Sequence, residues 1–151
     1  MSNYFEIFDL SPKLDLDLNS LEEQYLQLQL QFHPDLLIHK TQKEQELAKI
    51  KISQINNAYE ILKDPLKRAI YFLEINNIFI DSIKPDNMLL VDIMEIKEEL
   101  EEGNEEKVNL IKADLKKRKE DLYQEIINLN NKNLISDISQ KVVLLKYLSS
   151  I

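Results

Sequence analysis

Residues 21–62, LEEQYLQLQLQFHPDLLIHKTQKEQELAKIKISQINNAYEIL, decide the fold. Two apolar series run through them. Leu21, Tyr25, Leu28 and Phe32 recur at intervals of four, three and four; Ala48, Ile52, Ile55, Tyr59 and Leu62 recur at four, three, four and three. A helix turns by about 100° per residue, so residues at this spacing share one face, and each series predicts an amphipathic helix. His33-Pro34-Asp35 lies between them. Proline lacks the amide hydrogen that a continuing helix needs and keeps the residue before it out of the helical region. Residues 33–40 are therefore predicted as a loop, and a connection this short makes the two helices antiparallel neighbours.

Working outward, the first of these helices is predicted to start at Asn19 or Ser20, with Glu22 and Glu23 at capping-box spacing. Thr41 with Glu44 gives the same signature for the second. Asp64-Pro65 reads as a cap followed by proline at the first helical position, opening a short helix that carries Ala69, Tyr71, Phe72 and Leu73. Upstream, the apolar run Tyr4 to Leu10 predicts a short helix stopped at Ser11-Pro12. Downstream the pattern weakens from residue 76 to residue 87, which predicts a connection between a first part, residues 1–75, and a second, residues 88–151.

The second part carries three helical patterns. The first runs from Asn87 to Glu102, with Gly103-Asn104 as a stop signal; the second from about Glu105 to Asn128, on Val108, Ile111, Leu115, Leu122, Ile126 and Leu129; the third from Leu134 to Ser149, on Ile135, Ile138, Val142, Leu145 and Leu148. Three amphipathic helices in sequence predict a three-helix bundle. The fold class expected is all-α: a helical hairpin domain followed by a C-terminal bundle. One glycine and four prolines in 151 residues agree, because a sandwich or barrel needs far more turn residues.

Composition narrows the chemistry. With no cysteine, disulfides and thiolate-held zinc or iron–sulfur centres within this chain are excluded. The net charge of −8 disfavours nucleic acid and anionic membrane, whose binding depends on a basic surface. No apolar run approaches the ~18 residues of a membrane span, and Met1 to Leu10 has the pattern of neither a secretory signal nor an Arg-rich transit peptide. A cytoplasmic protein is the expectation. The run Lys116-Lys117-Arg118-Lys119 is flanked by Asp114, Glu120, Asp121 and Glu125 and reads as a solvated helix face. His39 has no evident metal partners. There is no glycine-rich phosphate loop and no nucleophile–histidine signature, so neither a cofactor nor an enzyme is expected.

His33-Pro34-Asp35, in a loop between two antiparallel amphipathic helices and after a short aromatic helix, resembles the signature of the J-domain family. The likeness continues through Ile55-Asn56-Asn57-Ala58-Tyr59-Glu60-Ile61-Leu62-Lys63-Asp64-Pro65. It implies that His33, Pro34 and Asp35 bind a DnaK-type chaperone (HscA-like) and stimulate its ATPase, the ATP chemistry belonging to the partner. The physical logic is local. Proline restricts the backbone on both sides of itself, while imidazole can donate and accept and a carboxylate only accepts.

Most J-domains begin glycine-rich or zinc-binding proteins. Here Asn3 to Leu10 and Lys63 to Leu73, with the segment Leu89 to Leu100, are similar to the HscB branch, in which a C-terminal bundle binds the scaffold protein (IscU-like) of iron–sulfur cluster assembly. The resemblance places that contact on Leu90, Val91, Met94, Glu95 and Glu98, with Leu144 on the last helix. The pattern points the same way. Leu89, Ile93, Ile96 and Leu100 suffice to face a bundle, so Leu90, Val91 and Met94 are surplus, as are Val143, Leu144 and Tyr147 later. The alternative is that Leu90, Val91 and Met94 pack against the first domain or widen the core.

One departure from the family stands out. Its helix before the tripeptide is usually basic, yet residues 14–32 contain no Lys or Arg, and Leu36 follows Asp35 where Lys is common. The exposed side is expected to carry Glu22, Glu23, Gln24, Gln27, Gln29 and Gln31, with Lys40, Lys43, Lys49, Lys51, Lys67 and Arg68 as substitutes for the missing bases. Three other readings compete: a J-protein with different clients, a structural adaptor with a vestigial loop, and an enzyme using His33 and Asp35.

Overall fold

The computed structural model describes residues 3–151; Met1 and Ser2, the first residues of the expected hairpin domain and of the expected leader-free N-terminus, lie outside them. The described residues form seven α-helices and two 3₁₀ turns, and no strand. The chain divides into two compact units, the first ending at Phe72 and the second spanning Leu73–Ile151.

In the first unit α1 is Tyr4–Ile7, α2 Leu18–Gln31, α3 Gln42–Lys63 and α4 Pro65–Ile75. α1 and α2 both pack on α3. Phe5, Phe8, Leu14, Leu21, Ile55, Ala58, Leu62 and Ala69 are all but sealed from solvent. Burying each large apolar side chain favours folding by roughly 1.5–3 kcal/mol, so this small set dominates the unit's stability. The likeness between residues 55 and 59 and the J-domain pattern acquires a physical meaning here. Ile55 and Ala58 are buried. The Asn56 side-chain oxygen accepts from Tyr25 Oη at 2.9 Å and from Gln29 Nε2 at 2.6 Å, tying α3 to α2. Asn57 Nδ2 donates to Tyr4 Oη at 3.0 Å, tying α3 to α1. Tyr59 stacks on Tyr25 with ring centroids 3.9 Å apart. Tyr4 stacks on Tyr71, whose hydroxyl accepts the Tyr4 amide hydrogen at 2.9 Å.

Several boundaries differ from expectation. α1 ends at Ile7, short of Ser11-Pro12, because Asp9 turns left-handed (φ 53°) and the Leu10 amide hydrogen returns to Phe5 O at 2.9 Å. α2 is capped by Asp17 rather than by Asn19 or Ser20. The Asp17 carboxylate accepts from the Asn19 amide and the Ser20 hydroxyl, and these bonds, the Ser20 one foremost, lower its pKa below the ordinary carboxylate value. The capping box at Thr41 and Glu44 forms as expected, with both bonds at 3.2 Å. Asp64 caps α4 by accepting from the Lys67 amide at 2.8 Å. Arg68, expected as a surface base, is 4% exposed: Nε donates to Leu14 O at 3.0 Å and Nη1 to Leu62 O at 2.7 Å.

In the second unit α5 is Asn87–Glu102, α6 Glu105–Asn131 and α7 Ile135–Ser149, and each contacts the other two. Residues 76–87 hold more than a plain connection. Ile80–Ser82 form a 3₁₀ turn that packs on α7, Ile80 is buried, and Lys146 Nζ bonds Asp81 at 2.8 Å, which raises the lysine pKa. With α5, α6 and this turn all against it, α7 buries a wide face. Val143, expected to be surplus, is 4% exposed, joining Ile138, Val142, Leu145 and Leu148. α6 likewise buries Tyr123 and Ile127 beyond its predicted stripe.

Gly103 closes α5 in extended conformation (φ −75°, ψ 153°), not the left-handed one that usually calls for glycine. Its lack of a side chain matters for another reason: an added Cβ would stand 2.7 Å from Glu99 O. Backbone cannot give way as a flexible side chain can. Gly103→Ala is therefore expected to destabilise the protein by about 1–3 kcal/mol, read as a lower denaturant midpoint with an unchanged slope.

Candidate functional site

α2 finishes at Gln31, with Phe32 as its C-cap donating its amide hydrogen to Leu28 O. Residues 33–40, expected as a loop, begin with a 3₁₀ turn, Pro34–Leu37, in which proline occupies the first position and His33 the N-cap. A missing amide hydrogen costs nothing there, and the fixed φ of proline suits a helical start. His33 is thus shared between two elements: its amide hydrogen goes to Leu30 O at 3.3 Å, and its carbonyl accepts the Leu36 amide at 3.0 Å. From the far side Gln45 Nε2, on α3, donates to Leu37 O at 2.9 Å and Lys40 O at 3.3 Å. The turn is anchored at both ends.

The two polar side chains of the tripeptide are coupled. His33 Nδ1 accepts from the Asp35 amide at 3.2 Å. A neutral imidazole that accepts at Nδ1 carries its proton on Nε2, which makes Nε2 a donor available to a partner. The Asp35 carboxylate lies 3.6 Å from His33 Nδ1, and both side chains are more than half exposed. The turn therefore presents one donor and one carboxylate acceptor at fixed spacing. It is not folded back onto the core, as the vestigial-loop reading requires. The hollows beside it are open and mainly apolar, the larger about 360 Å³ and lined by Phe32, Leu37, Leu47 and Ala48 together with Gln31, Lys40 and Glu44. Among the described residues no cluster of three or more His, Asp or Glu could hold a metal ion.

The second set of expected residues lies on α5, which Asp86 caps by accepting from the Met88 amide. Ile93 is buried and Leu89, Ile96 and Leu100 are partly so, as the bundle stripe demands. Off that stripe Val91 is 52% and Met94 62% exposed, Leu90 is half-buried, and Glu95 and Glu98 are exposed. Met88 is exposed beside them. Apolar side chains left uncovered on an otherwise packed helix are the signal of a partner surface, so the widened-core alternative does not hold for Val91 and Met94. Leu144 sits elsewhere: it is half-buried in a hollow of about 260 Å³ whose walls, among the described residues, come from α6 and α7, including Arg118, Leu122 and the Glu125–Lys141 ion pair.

Sequence reasoning missed one feature. On α2, Gln24 and Gln29 are half-buried, not exposed, while Leu26 and Leu30 face outward. Their spacing of four, well off the Leu21–Phe32 stripe, was the available signal.

Comparison with known proteins covers both units. Residues 3–71 match the DnaJ domain, and residues 85–151 match the HSCB C-terminal oligomerisation domain. A co-chaperone protein HscB homolog of Vibrio vulnificus is 42% identical over 103 residues, 66% of this chain and 60% of that protein; one from a Shewanella species is 37% identical over the same length. The match thus spans about three-fifths of these curated relatives. Among solved structures, human co-chaperone HscB superposes with a TM-score of 0.90 at 25% identity, covering 99% of this chain and 78% of that one. HscB of Vibrio cholerae superposes at 0.86 with 28% identity, covering 99% and 92%. Among the described residues no helix is long and apolar enough to cross a membrane.

Proposed function

The chain belongs to the HscB family of J-domain co-chaperones, and on that footing we propose that it stimulates the ATPase of a DnaK-type chaperone and delivers to it the scaffold protein on which iron–sulfur clusters are assembled. Residues 1–75 are the J-domain, 76–87 the connection and 88–151 the scaffold-binding bundle. His33, Pro34 and Asp35 contact the chaperone: His33 Nε2–H donates, Asp35 accepts, and Pro34 holds them in place. Leu90, Val91 and Met94 supply the apolar centre of the scaffold contact. Glu95 and Glu98 supply an acidic border suited to a basic partner rim, and Leu144 is a separate contact on the α6–α7 side. The chain performs no bond chemistry of its own in this scheme.

The observation that carries the proposal is the His33–Asp35 turn, pinned at both ends and exposed at its tip. An exposed pair held in one geometry loses little conformational freedom on binding, which favours a specific contact. The exposed Val91 and Met94 support the second half, because packing alone gives no reason to leave them in water.

The test is the steady-state ATPase rate of the cognate DnaK-type chaperone with this protein, with and without the scaffold. The intact protein is expected to raise the rate, and the scaffold to raise it further. Leu90→Ala/Met94→Ala is expected to keep the first increase and lose the second, since truncating central apolar contacts of an interface costs about 1–4 kcal/mol, tenfold or more in affinity. Stimulation indifferent to the scaffold would reject the iron–sulfur half and favour a J-protein with other clients.

A further inference from the structure

On either side of His33, α2 and the turn expose leucines where an ion-pairing surface would expose bases. Leu30 is 67% exposed and Leu36 62%. They stand three residues before and three after His33, and each is hydrogen-bonded to its main chain: the His33 amide donates to Leu30 O, and the Leu36 amide donates to His33 O. Leu26, one turn earlier on the outward side of α2, is exposed too, as is Leu47 at the edge of the hollow next to Phe32 and Leu37. α2 carries no Lys or Arg, and residues 1–35 hold seven acids against the single base Lys13. Bases do stand near the turn, but none of them on α2: Lys40 lines a hollow with Phe32, Leu37 and Glu44, and Lys49 lines one with Pro34 and Leu37. Arg68 is buried and takes no part in a surface contact.

We propose that this J-domain docks on its DnaK-type chaperone through an apolar contact made by Leu30 and Leu36 on either side of His33, rather than by pairing a basic helix with an acidic patch. This rests on the reading of the tripeptide as the chaperone contact. Continuity identifies the occupant. A specific protein interface covers about 800 Å² on each side. A partner that engages His33 and Asp35 over such an area also covers the residues bonded directly to His33. The chaperone strip facing Leu30 and Leu36 is uncharged and apolar, since α2 carries two acids and no cation with which an acidic strip could pair. Such a contact gains its free energy from removing leucine surface from water and depends little on added salt.

The experiment is a titration of the chaperone ATPase with the full chain at about 50 and about 300 mM KCl. The half-maximal concentration of the unmodified protein is expected to change less than about twofold between them, whereas several screened ion pairs would shift it tenfold or more. Leu30→Gln/Leu36→Gln keeps side-chain length and helix propensity and is expected to raise the half-maximal concentration about tenfold at both salts, with the maximal rate kept. Thermal unfolding of that variant should match the parent, both positions being exposed. If the double variant titrates like the parent while His33→Gln still abolishes stimulation, the apolar docking is wrong and the reading of the tripeptide stands. A steep salt dependence overturns it as well. So does a double variant that alters only self-association in sedimentation, which would make the leucines a contact between two copies of this chain. No stimulation by the parent at any concentration removes both readings.

Discussion

Glutamine in place of His33 is expected to bring chaperone ATPase stimulation down to the unstimulated rate while leaving the melting temperature within about 2 °C of the parent. The two halves have separate causes. The His33 side chain is half exposed, and its contacts among the described residues are local ones to Asp35, whose amide donates to Nδ1, so removing the ring costs the fold little. The contact loses more. Glutamine has a similar reach but no ring nitrogen placed to accept from the Asp35 amide, and the donor that the imidazole offers at Nε2 is no longer oriented. Leaving the partner's acceptor without its hydrogen bond in the buried contact costs about 1–3 kcal/mol, roughly five- to hundredfold, and loosening the turn adds to this. Asp35→Asn makes the complementary case, because an amide replaces an acceptor-only carboxylate with a group that presents a donor at one of its two positions. Both variants are read in the same ATPase titration, beside circular dichroism melts. Stimulation that survives either change intact would detach the tripeptide from the activity.

Arg68→Met is expected to have the larger effect on folding, lowering the melting temperature by more than about 10 °C. The arginine is almost wholly buried and its guanidinium donates to Leu14 O, in the segment ahead of α2, and to Leu62 O, in the last turn of α3. Methionine fills similar volume but leaves both carbonyls without these bonds. Each bond from a charged donor is worth about 1.5–3 kcal/mol, and an unsatisfied buried acceptor adds its own desolvation cost, so a loss of about 3 kcal/mol or more follows. For a unit of this size each kcal/mol moves the midpoint by about 4–8 °C. Arg68→Lys keeps the charge but a single nitrogen cannot reproduce the planar fork, and it should recover only part of the loss. A melting point within about 3 °C of the parent for Arg68→Met would mean that the two carbonyls find other partners.

The particular residues show why one of these positions was readable in advance and the other was not. The hairpin followed from Leu21 to Phe32 and Ala48 to Leu62, because a helix maps spacing onto a face with no need of the rest of the chain. Thr41 with Glu44, Asp64-Pro65 and the limits of α5 followed for the same local reason. His33-Pro34-Asp35 was visible as a tripeptide, and proline alone implied a break in the helix. On α5 the surplus of Leu90, Val91 and Met94 over the bundle stripe was legible, and Val91 and Met94 are exposed.

On α7 spacing alone misleads. Val143 has the pattern of a surplus residue, yet it is buried, because the turn at Ile80–Ser82 packs on α7 along with α5 and α6. A weak connecting pattern carries no trace of which distant helix it will lie against. Arg68 misleads likewise: its side chain reaches carbonyls 54 and 6 positions away, so a residue that reads as a surface base is an internal strut. Gly103 reads as a helix stop, but its necessity comes from how closely the chain passes Glu99 O. Leu26 and Leu30 stand off the Leu21–Phe32 stripe by spacing, but that they stay uncovered beside His33 follows from how α2 lies against α3. Local periodicity and capping set which segments are helical and which residues share a face. Which of those faces is covered depends on contacts between residues far apart in the chain, and that is where the tertiary structure alone decides.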